Sequence, residues 1–140
     1  LFRSNLRLYK AVIDHSEFAS LLTLELEILN EGIDYDFTLE FLNDNGQMIA
    51  TCDLSDYLDS EKYNQLTKTG KHIISFNIDT TIFTTGTFYI RFDFAIYGIK
   101  RIIPTDIAIS FDNYCKLFLK HPHSTSKNTV TPKLTFCSLI

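Results

Sequence analysis

The sequence is poor in the residues that build disulfide frameworks, metal clusters and nucleic-acid interfaces. Its three cysteines, Cys52, Cys115 and Cys137, are odd in number and contain no CxxC pair. Neither a disulfide framework nor a zinc ribbon is therefore predicted, and we expect reduced thiols of a cytosolic protein. Lys and Arg number 13 against 17 acidic residues, with a net charge of −4. No nucleic-acid partner is expected, because phosphate contacts depend on clustered Lys and Arg.

Long apolar runs are also absent. No stretch approaches the roughly 20 residues that would cross a bilayer as a helix. The N-terminus has no initiating Met and lacks the basic-then-apolar layout of a signal peptide, so we expect a fragment of a longer polypeptide. With 140 residues, the chain has the length of one domain.

The motifs of common catalytic and cofactor sites are missing. Gly70-Lys71 has no glycine five residues before it, and His72 stands where a phosphate-binding loop has Ser or Thr. There is no GxSxG, and neither His15 nor His72 has a Ser or Cys partner at a defined spacing. The two histidines in residues 121–123 have no nearby Cys or carboxylate, so a solvated linker is favoured over a metal site. We expect no metal and no cofactor.

Two carboxylate pairs, Glu25/Glu27 and Glu40/Asp44, are the candidates for acid–base chemistry. A glycosidase needs two carboxyl groups a few ångströms apart across a cleft. Outward carboxylates on regular strands more often form a solvated face. We therefore do not expect this chain to be an enzyme, although a glycosidase built on the same scaffold would use such a pair.

What the sequence has in abundance is period-two alternation. In GTFYIRFDFAIYG, residues 86–98, one set of side chains points inward and a second set points outward. The inward set is Phe88, Ile90, Phe92, Phe94 and Ile96, and the outward set is Tyr89, Arg91, Asp93, Ala95 and Tyr97.

Six further stretches have the same character, at residues 6–13, 22–29, 37–41, 47–53, 71–78 and 106–112. Asp44-Asn45-Gly46 is a hairpin signal between two of them, and residues 55–70 indicate a short helix or an ordered loop. The pattern predicts an all-β fold, an immunoglobulin-like antiparallel β-sandwich of about seven to eight strands. In that order, strands one, two and five form one sheet, and strands three, four, six and seven form the other.

The outward residues of the sixth strand are the candidate binding site. Tyr89, Arg91, Asp93 and Tyr97 would lie beside Glu40 and Ser110 of neighbouring strands. An exposed ion pair with two β-forming tyrosines is one interpretation. The other is a sugar site, because a sugar packs its C–H face on an aromatic ring while its hydroxyls need fixed polar partners.

The last part of the chain, residues 115–140, differs from residues 1–114, which hold the predicted sandwich. It contains a polar stretch with two prolines, residues 121–133, followed by the apolar LTFCSLI, residues 134–140. Such a strand is expected to close a sheet edge in its own subunit or to cross to a second one.

Several of these features together resemble a known family. They are the turn Asn43 to Gln47, the long polar insertion after it, a strand entered through TGTFYI at residues 85–90, and a strand ending SFDNY at residues 110–114. This layout, over about residues 5–114, resembles the C-terminal domain of Wzt-type proteins, the nucleotide-binding subunits of ABC exporters for O-antigen polysaccharides.

The resemblance implies a β-sandwich without catalytic activity that binds the exported polysaccharide in the cytoplasm, often at its non-reducing end. It also implies an ATPase domain upstream in the same chain, a membrane-spanning transporter subunit as partner, and a homodimer with an exchanged C-terminal strand. No binding residue carries over from the family. The alternative interpretation is a structural or protein-interaction sandwich whose exposed edges dock another chain.

Overall fold

The computed structural model describes residues 5–16, 19–98, 100–101, 108–114 and 130. Within them, eight strands form two antiparallel sheets, which confirms the predicted all-β sandwich. The strands are β1 (Leu6–Asp14), β2 (Ser20–Ile28), β3 (Tyr35–Leu42), β4 (Met48–Asp53), β5 (Gly70–Ile78), β6 (Gly86–Ile96), β7 (Lys100–Arg101) and β8 (Ala108–Asn113).

The strand order follows the predicted partition. Sheet A has the order β1-β2-β5. Sheet B has the order β4-β3-β6, and both β7 and β8 pair with β6 on the side away from β3. The two-residue strand β7 was not predicted, because so short a segment shows no alternation.

The core lies between the two sheets, where the inward residues meet. Of the five predicted inward positions of β6, Phe88, Ile90, Phe92 and Phe94 are fully buried and Ile96 is half-buried. Leu22, Leu24, Leu26 and Ile28 of β2 are also fully buried. The rings of Phe37 and Phe94 meet edge-on, with centroids 5.3 Å apart. Burial of each such side chain contributes about 1.5–3 kcal/mol, so the alternation itself drives the two sheets together.

The predicted hairpin between β3 and β4 is confirmed. Gly46 has a φ of 77°, a conformation that side chains with a Cβ rarely adopt. The Asn43 carboxamide oxygen accepts hydrogen bonds from the backbone N–H groups of Asn45 and Gln47. These two bonds satisfy turn donors and set the register of the hairpin.

The polar insertion after β4 is an ordered pair of helical turns. A 3-10 turn spans Leu54–Tyr57 and the helix α1 spans Ser60–Leu66. Asp59 caps α1 by accepting from the Lys62 N–H at 2.8 Å, and Leu66 is buried in the core. No helix of the described residues has the length and apolar character needed to cross a membrane.

The C-terminal predictions are met only where the structure describes them. The strand predicted at residues 106–112 is seen as β8, with Phe111 buried and Ile109 half-buried, while residues 106–107 lie outside the described residues. The predicted apolar strand at 134–140 also lies outside them. Val130 forms an antiparallel bridge with Phe83, which follows a 3-10 turn at Thr80–Ile82.

Candidate functional site

The candidate site is the outer face of sheet B, which we define as the outward residues of β3, β4, β6 and β8. Residues directly opposite each other on paired strands lie on the same face of the sheet, so the strand register identifies the neighbours of each residue. The face consists of three central rows: Asp53, Thr38 and Asp93; Thr51, Glu40, Arg91 and Ala108; and Leu42, Tyr89 and Ser110. Five of the six predicted site residues therefore lie in adjacent rows.

At the centre of this face, Glu40 and Arg91 form an ion pair across β3 and β6. An Arg91 terminal nitrogen donates to Glu40 Oε2 at 2.8 Å. This hydrogen bond, more than any other influence, raises the pKa of the Arg91 guanidinium. The Arg91 side chain is 32% exposed and the Glu40 side chain only 9%. Glu40 therefore contacts Arg91, and Arg91 contacts solvent.

The pair is not fully satisfied by the part of the chain that the structure describes. Within those residues, Glu40 Oε1 and Arg91 Nε have no hydrogen-bond partner, and both atoms are shielded from solvent. The remaining guanidinium N–H groups are the ones that a bound molecule can reach. Arg91 is thus a rigid donor held by a buried carboxylate.

Three carboxyl groups lie in the neighbouring rows, from Asp36, Asp53 and Asp93; we call them the acidic group. The Thr38 hydroxyl donates to Asp36 Oδ1 at 2.8 Å. The pKa of Asp36 is raised, first by burial and then by the nearby Asp53 and Asp93 carboxyls. Among the described residues, no cluster of His, Cys, Asp or Glu is arranged to hold a metal ion.

The two predicted stacking residues, Tyr89 and Tyr97, lie far apart. Tyr89 is 38% exposed and opposes the exposed Ser110 on β8. Strand β6 ends at Ile96, and Tyr97 lies in the turn that follows, where its N–H donates to the Asp34 carbonyl at 2.8 Å. Eight residues of strand correspond to about 26 Å. The two rings cannot contact the same sugar unit.

The outer face of sheet B continues beyond Tyr89 to residues that were not predicted as part of the site. Thr87 opposes Asp112, and its hydroxyl donates to Asp112 Oδ1 at 2.6 Å. Tyr114 follows β8 and is 70% exposed. Alternation was the only sequence feature that could have indicated these residues. Thr87 is two residues from Tyr89 and Asp112 is two residues from Ser110, so each pair points to the same face of its strand. The register between β6 and β8 was needed to bring them together.

The other predicted carboxylate pairs are differently placed. On the outer face of sheet A, Glu27 lies between Arg7 and Lys71, and Glu25 lies between Lys10 and Ile73. The Tyr9 hydroxyl donates to Glu27 Oε2 at 3.1 Å.

In the pair Glu40/Asp44, Glu40 is buried on β3 and Asp44 lies in the hairpin turn.

One histidine contact also escaped the sequence analysis. His15 Nδ1 lies 2.6 Å from Ser20 Oγ. Ser20 is fully buried, so its hydroxyl cannot meet a substrate. This pair holds the β1–β2 connection to the core.

A cleft of about 360 Å³ opens elsewhere, between the edges of β4 and β5. Its lining is mostly apolar and includes Phe41, Cys52, Phe76, Ile78 and Phe83. The inward residues of β5 are only half-buried, because nothing among the described residues pairs with its outer edge.

Cys52 lies in this cleft as a free thiol. Burial, with help from Asp53 and Asp56, raises the pKa of the thiol. Cys52 is therefore not an activated nucleophile. Cys115 and Cys137 lie outside the described residues.

Comparisons with known proteins add little to this geometry. No family model matches the chain, and no curated protein matches it. A solved structure that is similar in part is a beta-glucuronidase from glycoside hydrolase family 2. It is 16% identical, with a TM-score of 0.33, and the match covers 80% of this chain and 11% of that enzyme. This chain thus spans about a tenth of that enzyme, and a likeness of this size carries no argument about function.

Proposed function

We propose that this chain is a non-catalytic carbohydrate-binding domain whose glycan lies across the outer face of sheet B. The observation that carries the proposal is the exposed ring of Tyr89 beside the Ser110 hydroxyl and, one row away, the Arg91 guanidinium held by Glu40. An aromatic platform next to fixed donors and acceptors matches a sugar, whose apolar face and hydroxyls need both kinds of contact.

Each predicted site residue has a role in this proposal. Tyr89 stacks on a sugar ring, and Ser110 and Asp93 exchange hydrogen bonds with its hydroxyls. Arg91 donates from its exposed nitrogens, while Glu40 holds Arg91 in position from below. Tyr97, about 26 Å away along the strand direction, contacts a different unit of the same glycan. The ligand is therefore a chain and not a single sugar.

The affinity of one such site is modest. An open sheet face buries few ligand atoms, so we expect a dissociation constant on the order of micromolar to millimolar. A homodimer would compensate by offering two sites to one polysaccharide at high effective concentration.

The resemblance of residues 5–114 to the Wzt-type domain supplies the biological context of the proposal. In that context the ligand is a completed O-antigen-type polysaccharide, recognised at its non-reducing end before export. The ATPase domain would precede this domain in the same chain. The transporter subunit would hold the assembly at the cytoplasmic side of the inner membrane.

The test is a titration of the folded chain, by NMR or on a glycan array, with wild type and two variants. Tyr89→Ala should weaken glycan binding by about tenfold, because it removes the stacking platform. Arg91→Lys keeps the charge but loses the planar fork, and should weaken binding too. The matched control is Tyr9→Ala on the outer face of sheet A, where the ring is also exposed. Unchanged binding by both site variants would rule out this face.

A second candidate function is a protein-interaction module. The apolar cleft between β4 and β5 favours it, because half-buried apolar residues at a sheet edge suit an added strand or helix. It predicts that the folded chain binds no glycan of any class. Clear glycan binding that is lost in Tyr89→Ala would contradict this prediction and favour the outer face of sheet B as the functional surface.

A further inference from the structure

We infer that the outer face of sheet B selects neutral glycans and rejects glycans that carry carboxylate, phosphate or sulfate groups. The inference rests on the proposed function of the same face and adds the chemical class of its ligand. It depends on how the charges of this face are already paired within the chain.

Arg91 is not available as a counter-ion for an anionic sugar. Its guanidinium already bonds the Glu40 carboxylate at 2.8 Å, and the Glu40 side chain is only 9% exposed. An anionic sugar that drew Arg91 away would leave Glu40 buried without its counter-charge, which is strongly unfavourable. Arg91 can instead donate its remaining N–H groups to neutral hydroxyl oxygens while it stays paired.

The surroundings of Arg91 on this face are also rich in carboxylates. Asp53 and Asp93 lie in the row next to Arg91, Asp36 lies one row further, and Asp112 lies on the far side of Tyr89. Asp93 acts electrostatically on both Arg91 and Asp36, so these charges are within range of one another. Among the described side chains that β3, β4, β6 and β8 place on this face, Arg91 is the only cation, and Arg101 of the short strand β7 is paired opposite Ala95, two rows away. A second negative charge would therefore approach against several carboxylates.

The same polar groups can form hydrogen bonds with the hydroxyls of a neutral sugar. Carboxylates accept hydrogen bonds from sugar hydroxyls, Arg91 donates to them, and the Ser110 hydroxyl does both. Each polar group of a neutral sugar thus finds a partner of the right kind. Specificity follows because an acidic group in the same place would meet an acceptor where it needs a donor.

The test compares glycans that differ mainly in charge. Oligogalacturonates and their methyl esters form one such pair, and carboxyl-reduced counterparts of other acidic oligosaccharides extend the panel. In a titration of the wild-type chain at low salt, we expect the neutral member of a bound pair to bind at least about tenfold more tightly. Raising the salt should reduce that ratio by weakening the repulsion, because the screening length shrinks to about 3 Å at 1 M.

Variants show whether the named residues cause the preference. Asp36→Asn combined with Asp53→Asn should improve binding of the acidic member severalfold, because two carboxylates are removed while shape is kept. Glu40→Gln, which releases the charge of Arg91, should act in the same direction. Glu25→Gln removes one carboxylate from sheet A instead and should leave the neutral-to-acidic ratio unchanged. An NMR spectrum of each variant confirms that it is folded.

The outcomes separate the two proposals. Equal or tighter binding of the acidic members by wild type would overturn this inference while the proposed glycan-binding function stands. A neutral-to-acidic ratio that does not respond to the sheet B variants would overturn it in the same way. If neither member of any pair binds the folded chain, the proposed function fails and this inference fails with it.

Discussion

On the outer face of sheet A, Glu27 lies between Arg7 and Lys71 across three strands, and the Tyr9 hydroxyl bonds the same carboxylate. On the outer face of sheet B, Thr38 lies between Asp53 and Asp93, and Arg91, the only cation among the described side chains that β3, β4, β6 and β8 place there, is already bound to Glu40. Both faces come from strands with the same alternation of apolar and polar residues. On sheet A the charges cancel at the surface, whereas on sheet B they accumulate.

The difference shows that cross-strand neighbours decide what an outward carboxylate does. Glu25 and Glu27 on the central strand of sheet A are half-buried beside exposed residues of β5 such as Lys71 and Ile73. Glu40 has an equivalent position in its strand but is nearly inaccessible and paired. A polar group that is enclosed and fixed can recognise a ligand, while a solvated one mostly interacts with water.

The largest contrast between the two faces should appear when a cation is removed from each. Arg91→Ala leaves Glu40 without its counter-charge and should destabilise the fold by about 2–3 kcal/mol, less than the ~3–5 kcal/mol of wholly buried pairs because Arg91 is partly exposed. Lys71→Ala on sheet A should cost less than about 0.5 kcal/mol. Urea denaturation of both variants measures this. Equal losses would mean that the two faces do not differ energetically.

A smaller contrast should separate two tyrosine hydroxyls. The Tyr63 hydroxyl of α1 donates to Asp34 Oδ1 at 2.8 Å and to the Tyr35 carbonyl at 3.0 Å, which ties the helix to the start of β3. Tyr63→Phe should destabilise the fold by about 1 kcal/mol, and Tyr9→Phe on sheet A should change it very little. Thermal denaturation of the two variants distinguishes them.

The contribution of Tyr63 to the stability of the fold should also depend on pH in the alkaline range. Burial first, and then Asp34, raises the pKa of Tyr63 from 10.0 to about 12. The stabilisation from this group is present below the unfolded pKa of 10 and is lost as pH rises toward 12. Tyr63→Phe should remove this alkaline fall in stability. A fall that persists undiminished in the variant would mean that another group causes it.

The smallest effect should come from relieving repulsion within the acidic group. Because the pKa of Asp36 is raised in the folded state, its contribution to stability is present below its ordinary pKa of 3.8 and is lost as pH rises through the folded value. In the Asp36→Asn variant, the side chain at position 36 cannot ionise, but its oxygen can still accept a hydrogen bond from the Thr38 hydroxyl. The variant should be more stable than wild type at pH 7, by less than about 1 kcal/mol, and lose this advantage near pH 4. Denaturation curves at the two pH values test the sign.

The sequence was sufficient where the signal is local. Alternation in residues 86–96 placed Phe88, Ile90, Phe92 and Phe94 in the core, and the turn at Gly46 defined the β3–β4 hairpin. The division of strands between the two sheets was also predicted, because few topologies of a β-sandwich satisfy the connection rules.

The features of the site that the sequence did not predict depend on the register between strands and on where each strand ends. That Arg91 would bond Glu40 follows from the pairing of β3 with β6, which no local pattern reveals. In a continuous strand, Tyr97 would point to the same face as Tyr89. The strand ends at Ile96, however, and the chain turns toward Gly98. The near-complete burial of Glu40 is likewise a property of its neighbours in space, so alternation alone described it as exposed.

Both sheets are completed by pairings between distant parts of the chain. Leu24 of β2 pairs with Ile74 of β5, and Glu40 of β3 bonds Arg91 of β6 across 51 residues. Contacts of such sequence separation slow folding, to milliseconds or longer in β-sandwich domains. During synthesis, the β1–β2 and β3–β4 hairpins leave the ribosome before β5 and β6, each with one apolar face uncovered. Until β5 and β6 arrive, those faces are the part of the molecule most exposed to aggregation.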